Sequence, residues 1–69
     1  MKINGYIIQI QGQISESMKE WFEDVLVEIQ DNRDSTLHLF SADQAFLFGI
    51  LIRIRDLGLR LISVTPYEE

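Results

Sequence analysis

Residues 41–64, SADQAFLFGILIRIRDLGLRLISV, contain in succession a helix start, a strongly apolar helix, a helix stop and a short strand. Ser41 and Gln44 form the S-x-x-Q capping-box pattern that is typical of helix N-termini. Gly58 is well placed to adopt the left-handed conformation that ends many helices. Apolar residues recur between them at helical spacing and predict a buried stripe. This stripe consists of Leu47, Ile50, Leu51, Ile54 and Leu57.

The rest of the chain alternates between strand patterns and helix patterns. Apolar residues with a period of two predict four strands, because one face of each would be buried. The predicted strands cover residues 6–11, 25–30, 36–40 and 60–65. A first helix over residues 16–24 follows Ser15, which is a good N-cap residue. Pro66 donates no backbone hydrogen bond, so strand four is expected at a sheet edge.

The resulting order, β-α-β-β-α-β, predicts a single α+β domain over residues 1–69 with a ferredoxin-like sandwich fold. In that fold a four-stranded antiparallel sheet carries both helices on one face. Right-handed crossovers leave strands one and three in the middle. The other side chains predicted to point into the core are Met18, Trp21 and Phe22 of helix one, Val25, Val27 and Ile29 of strand two, and Ile62 and Val64 of strand four.

Size and composition restrict the classes of function that are available. The chain has 69 residues, of which 46% are hydrophobic, so it is expected to be globular but only marginally stable. It lacks Cys and has one His, so disulfides and most metal sites are excluded as sources of stability. A net charge of −5 disfavours nucleic acid as a partner. The longest apolar run, residues 45–52, is too short to cross a membrane, and we expect a cytoplasmic protein.

Two segments resemble a group of small, largely uncharacterised bacterial and archaeal proteins. That group has the pattern DQAALHGLLxKIRDLGLxLISV near the C-terminus and an earlier QGxLxExWxxWF-like segment. The matching residues here are Asp43, Gln44, Ala45, Leu47, Gly49, Leu51, residues 54–59 and 61–64, and, in the earlier segment, residues 11–14, Glu16, Met18, Trp21 and Phe22. Phe46, Phe48 and Ile52 replace Ala, His and a polar residue, so helix two is more apolar here. The resemblance supports the fold and implies no catalytic residue.

The residue types that carry chemistry occur singly or in solvated groups. His38 has no second His and no Cys to complete a metal or nucleophilic site, so we interpret it as a surface or interface residue. The acidic residues of helix one are interpreted as a solvated helix face, and the arginines of helix two as structural. These residues are Glu16, Glu20, Glu23 and Asp24, and Arg53 and Arg55. We therefore predict a protein that is not an enzyme and that holds no cofactor or metal.

Apolar residues that one small core cannot use are the clearest functional indication. Contiguous exposed apolar groups mark contact surfaces, and two such groups are predicted. Phe48 and Ile52 lie on the outer side of helix two, whereas Ile7, Leu26, His38, Phe40 and Leu61 lie on the open face of the sheet. The sequence therefore predicts an interaction or regulatory module that forms a homo-oligomer, or binds another protein, through one of these surfaces. The alternative is a small-molecule sensor with its ligand site at a subunit interface.

Overall fold

A four-stranded antiparallel sheet and two helices make up the part of the chain that the computed structural model describes, which is residues 4–23, 25–40 and 42–68. The strands are β1 (Gly5–Gln11), β2 (Leu26–Ile29), β3 (Ser35–Phe40) and β4 (Arg60–Tyr67). The helices are α1 (Glu16–Lys19), which continues as a 3-10 turn over Glu20–Phe22, and α2 (Gln44–Asp56). The predicted α+β class and antiparallel sheet are confirmed.

The strands are ordered β2-β3-β1-β4 across the sheet, and every neighbouring pair is antiparallel. β1 and β3 are central, and Ile8 of β1 lies opposite Leu37 on one side and Val64 on the other. β4 is an edge strand, as expected from Pro66. Directly paired residues of antiparallel strands point to the same face, so this register determines which side chains share a surface.

One face of the sheet carries the hydrophobic core. Ile8, Leu37 and Leu39 are fully buried there, and they form one cluster with Phe22 from the 3-10 turn and Ile50 from α2. Side chains from both helical segments therefore pack with the same set of strand residues. The complete cluster is Tyr6, Ile8, Ile10, Ile14, Phe22, Val25, Leu37, Leu39, Ala42, Leu47, Ile50 and Ile54. The opposite face, which includes Ile7, His38 and Phe40, is called the open sheet face below.

The first helix is shorter than predicted, and the prediction that Trp21 is a core residue is wrong. Phe22 is only 1% exposed, whereas Trp21 is 52% exposed. Successive residues of a 3-10 turn point about 120° apart, so an inward Phe22 turns Trp21 away from the core, toward the edge of the helical layer. Met18 is partly buried against the core, as predicted. The predicted end of this helix, Asp24, lies outside the described residues.

Helix α2 begins with a different cap from the one that the sequence pattern predicts. Asp43 is the N-cap residue, and its Oδ1 accepts a hydrogen bond of 2.8 Å from the backbone N–H of Phe46. The predicted cap, Ser41, lies outside the described residues. Gly58 follows the helix with φ of 72°, which confirms it as the stop. Of the predicted stripe, Leu47, Ile50 and Ile54 are buried and Leu51 and Leu57 are partly buried.

Replacing the observed cap should measurably weaken α2. We expect Asp43→Ala to lower the free energy of unfolding by about 1 kcal/mol, because the N–H of Phe46 loses its acceptor. Asp43→Asn is the matched control, since asparagine caps helices as well as aspartate does and should retain most of the stability. Urea denaturation followed by circular dichroism measures both variants. Equal losses in the two variants would contradict this role for the side chain.

Two predicted inward residues are exposed for identifiable reasons. Ile29 pairs with Ser35 on the core side, but it ends the edge strand β2 and is 42% exposed. Ile62 is 51% exposed because β4 contains a bulge: Gln9 lies opposite Ser63 while Ile10 lies opposite Leu61. Ile62 is thus the extra residue of β4 at this point. Val25 and Val27 are buried and partly buried, and Val64 is partly buried, as predicted.

Candidate interaction surface

A continuous row of side chains, one from each strand, crosses the open sheet face. The register places Leu26 of β2 opposite His38 of β3, and His38 opposite Ile7 of β1. Ile7 in turn lies opposite Thr65 of β4. Side chains of such direct pairs lie about 5 Å apart at their Cβ atoms, so the row is continuous. Leu26 is 48% exposed, and Ile7 is half-buried.

A second row adds aromatic rings beside the first. Phe40 lies opposite Gly5, and Gly5 lies opposite Tyr67. The ring of Phe40 stacks on the imidazole of His38, with centroids 5.9 Å apart, and meets Tyr67 edge-on at 6.5 Å. Phe40 is the most exposed large apolar residue of the sheet, at 59%. The surface formed by Ile7, Leu26, His38, Phe40 and Tyr67 is called the aromatic patch below.

Gly5 allows these rings to lie close to the backbone. A Cβ atom at Gly5 would collide with the carbonyl oxygen of Leu39 and would lie 2.8 Å from the Tyr67 Oη. The phenol ring of Tyr67 therefore occupies the space beside the bare glycine. The sequence prediction missed Tyr67 because it ended strand four at Thr65. The signal that was available is the Gly at the start of one strand and the aromatic residue at the end of its neighbour.

Polar residues border the aromatic patch on the same face. The Glu28 Oε1 lies 2.7 Å from the His38 Nε2, which connects β2 to β3. In the row beyond, the Ser63 hydroxyl donates to the Gln9 Oε1 at 3.1 Å. The His38 side chain is 22% exposed and that of Glu28 is 50% exposed. An apolar centre beside a polar rim is the usual composition of a protein interface.

The structure brings together four of the seven residues predicted to form an interface. Ile7, Leu26, His38 and Phe40 share the open sheet face, as the register shows. Phe48 and Ile52 are 56% and 48% exposed, but they lie on α2, which packs on the core side of the sheet. These two residues therefore form a separate surface.

The placement of Leu61 on the open sheet face is wrong. It lies opposite Ile10, whose side chain is in the core, so it belongs to the helical side of the sheet. The cause is the bulge at Ile62, which reverses the alternation of β4 from that point. Leu61 is nevertheless 45% exposed, because it lies on the edge strand.

A shallow groove opens on the helical side of the domain, with a volume of about 550 Å³. It is lined by Glu20, Trp21, Glu23 and Arg53, and the Arg53 Nη1 donates a hydrogen bond of 2.9 Å to the carbonyl of Trp21. This arginine therefore ties the 3-10 turn to α2. The predicted structural role of Arg53 agrees with this contact.

Metal ligation and membrane crossing each require a recognisable arrangement of residues. Within residues 4–23, 25–40 and 42–68, His, Cys, Asp and Glu side chains form no group of three that could hold a metal ion. Over the same ranges, no helix combines the length and the apolar character that crossing a bilayer requires.

Comparison with known protein families gives a match. The model of a family described as a domain of unknown function, DUF8691, covers residues 5–65 of the chain. The chain belongs to the DUF8691 family. The match extends from the start of β1 into β4, and so includes most of the aromatic patch. No curated protein and no solved structure is significantly similar to this DUF8691 domain. Membership agrees with the predicted resemblance to an uncharacterised group and assigns no activity.

Proposed function

We propose that this DUF8691 domain is a non-enzymatic module that acts by self-association, and that the aromatic patch is its interface. The observation that carries the proposal is the continuity of the patch across all four strands, from Leu26 through His38 and Ile7 to Tyr67. Scattered apolar residues are normal on protein surfaces, whereas a contiguous group that includes the exposed ring of Phe40 is typical of a contact site.

The small size of the domain favours association. Its principal Cα extents are 34 × 24 × 18 Å. A standard interface buries about 800 Å² on each partner. A second copy packed on the open sheet face would also cover the apolar surface that a core of this size leaves exposed. Symmetric dimers are the commonest solution to that problem.

The other candidate surfaces favour association less. Phe48 and Ile52 are two residues on one side of a helix, and the described contacts connect no further aromatic ring to them. The free edge of β4 is eight residues long, but the bulge at Ile62 and the missing N–H of Pro66 both oppose pairing with another strand. Packing of a second copy on the open sheet face requires no new strand pairing, so neither feature opposes it.

We also propose that the fold is ferredoxin-like. The element order and the central position of β1 and β3 support this assignment. The packing of Phe22 and Ile50 with the same strand residues supports it as well. A sheet covered by helices on one side only leaves its other side free for a partner, as the proposed function requires. The cytoplasmic location remains a prediction from the sequence.

The sensor alternative has less support from the described residues. The groove beside Trp21 lies on the helical side, away from the aromatic patch, and its walls carry the opposite charges of Glu20, Glu23 and Arg53. It is therefore distant from the surface that we propose as the subunit interface. Self-association without a ligand is the function that the geometry favours.

Light scattering across protein concentrations tests the proposed function. We expect the unaltered protein to be a dimer at high micromolar concentration and Phe40→Glu to be a monomer, because a charge within the patch cannot be buried without a partner. Ile52→Glu is the matched control, since it places the same charge on an apolar residue of comparable exposure on α2. It should remain a dimer.

Circular dichroism establishes that both variants are folded. An unaltered protein that stays monomeric throughout the concentration range would refute self-association. A dimer that survives Phe40→Glu and is lost in Ile52→Glu would place the interface on α2 and contradict the assignment to the sheet.

A further inference from the structure

The pair Glu28 and His38 connects the aromatic patch to its polar border. Its two side chains are joined at 2.7 Å, and the imidazole also stacks on Phe40 within the patch. Half of the Glu28 side chain and about a fifth of the His38 side chain are exposed in the single chain. A second copy seated on Phe40 would therefore remove much of the remaining water from this pair.

The surroundings of His38 contain few other charges. From β2, the register brings Leu26 and Glu28 beside it. β1 contributes Ile7 and the neutral amide of Gln9 to the same face. On the far side of β1, β4 places Ser63, Thr65 and Tyr67 on this face, and none of them carries a carboxylate, ammonium or guanidinium group. Within the described residues, Glu28 is thus the charged group that faces His38.

The charge state of the pair determines what its burial costs. With a neutral imidazole, the pair has a net negative charge that would have to be desolvated. With a protonated imidazole, the same two groups form an ion pair with no net charge, and mutual attraction compensates part of the desolvation cost. Histidine side chains change charge between about pH 5 and 8. His38 is the only histidine of the chain.

We infer that association of two copies through the open sheet face takes up protons at the Glu28–His38 pair, so that the dimer is tighter in mildly acidic than in mildly alkaline solution. The inference rests on the proposed function and adds its regulation. The direction follows from linkage: when the associated form binds more protons than the free form, lowering the pH strengthens association.

The expected effect is large enough to measure directly. A symmetric dimer contains two such pairs, and each fully coupled proton changes the dissociation constant by a factor of about 10 per pH unit. Partial coupling gives less. We expect the dimer to be at least about tenfold tighter at pH 6.0 than at pH 7.5, a window in which histidine is the side chain that normally titrates.

Sedimentation equilibrium at constant ionic strength, at several pH values between these limits, tests the inference. In Glu28→Gln the sign should reverse, because a protonated His38 would then be buried without a counter-charge and the dimer would weaken as the pH falls. Glu23→Gln is the matched control. It removes the same charge from the groove on the helical side and should retain the behaviour of the unaltered protein.

Each outcome separates the inference from the function on which it rests. A dimer whose dissociation constant changes less than twofold over the window refutes proton uptake and leaves self-association standing. Protein that is monomeric at every pH refutes the proposed function itself. If Glu28→Gln retains the pH dependence of the unaltered chain, the protons bind elsewhere and the assignment to this pair is wrong. Circular dichroism at each pH excludes unfolding as the cause of any change.

Discussion

Ile50→Ala should lower the free energy of unfolding by about 2–5 kcal/mol, which is a large share of the total stability of a small domain. Ile50 is 1% exposed and packs in the cluster that joins α2 to the sheet. Removing most of its side chain leaves a cavity that the rigid neighbours fill only in part. Urea denaturation measures the loss, with the slope of the transition checked for constancy.

Two neighbouring residues of α2 are suitable controls for this result. Leu51 belongs to the stripe predicted from the sequence but is only partly buried, so Leu51→Ala should cost less than Ile50→Ala. Ile52 is 48% exposed, and Ile52→Ala should change the stability by about 0.5 kcal/mol or less in the monomer. Equal losses at the three positions would contradict the orientation of α2 described here.

Gly5→Ala is expected to destabilise the fold by about 3 kcal/mol, at the upper end of the usual range for overpacked sites. The new methyl group would collide with the backbone oxygen of Leu39, which cannot move without disturbing the pairing of β1 with β3. It would also displace Tyr67 from the aromatic patch. The dimer should therefore weaken together with the fold.

Gly49→Ala provides the opposite control within the same chain. Gly49 lies inside α2 with no atom within 4 Å of an added Cβ, so alanine should stabilise the helix by about 0.5–1 kcal/mol. The two Gly→Ala variants thus differ in sign because of their surroundings. A Gly5→Ala protein that is as stable as the unaltered chain would show that the approach of Leu39 to Gly5 is not close.

Local patterns predicted the elements whose cause is also local. The end of α2 at Gly58 depends on a backbone conformation that glycine favours. The edge position of β4 follows from the missing N–H of Pro66. The buried stripe through Ile50 and Ile54 follows from helical periodicity. Each of these features could be inferred because the residue itself carries the constraint.

Features that depend on two distant segments could not be inferred in this way. The bulge at Ile62 is a shift in the pairing register of β4 with β1, and no residue of β4 alone indicates it. For the candidate surface, the sequence placed Ile7, Leu26, His38 and Phe40 on one face, but it ended strand four at Thr65 and so missed Tyr67, whose ring meets Phe40.

The bulge in β4 also changes how substitutions along that strand should be compared. On the C-terminal side of Ile62, the odd-numbered positions 63, 65 and 67 lie opposite residues of the open sheet face. On its N-terminal side the parity is inverted, and Arg60 is the residue that shares that face with Gln11. Exchanges at Leu61 and Ser63 are therefore not equivalent despite their spacing of two. An exchange at Leu61 alters the side of the sheet that the helices cover, whereas an exchange at Ser63 alters the open sheet face, which is available to a partner.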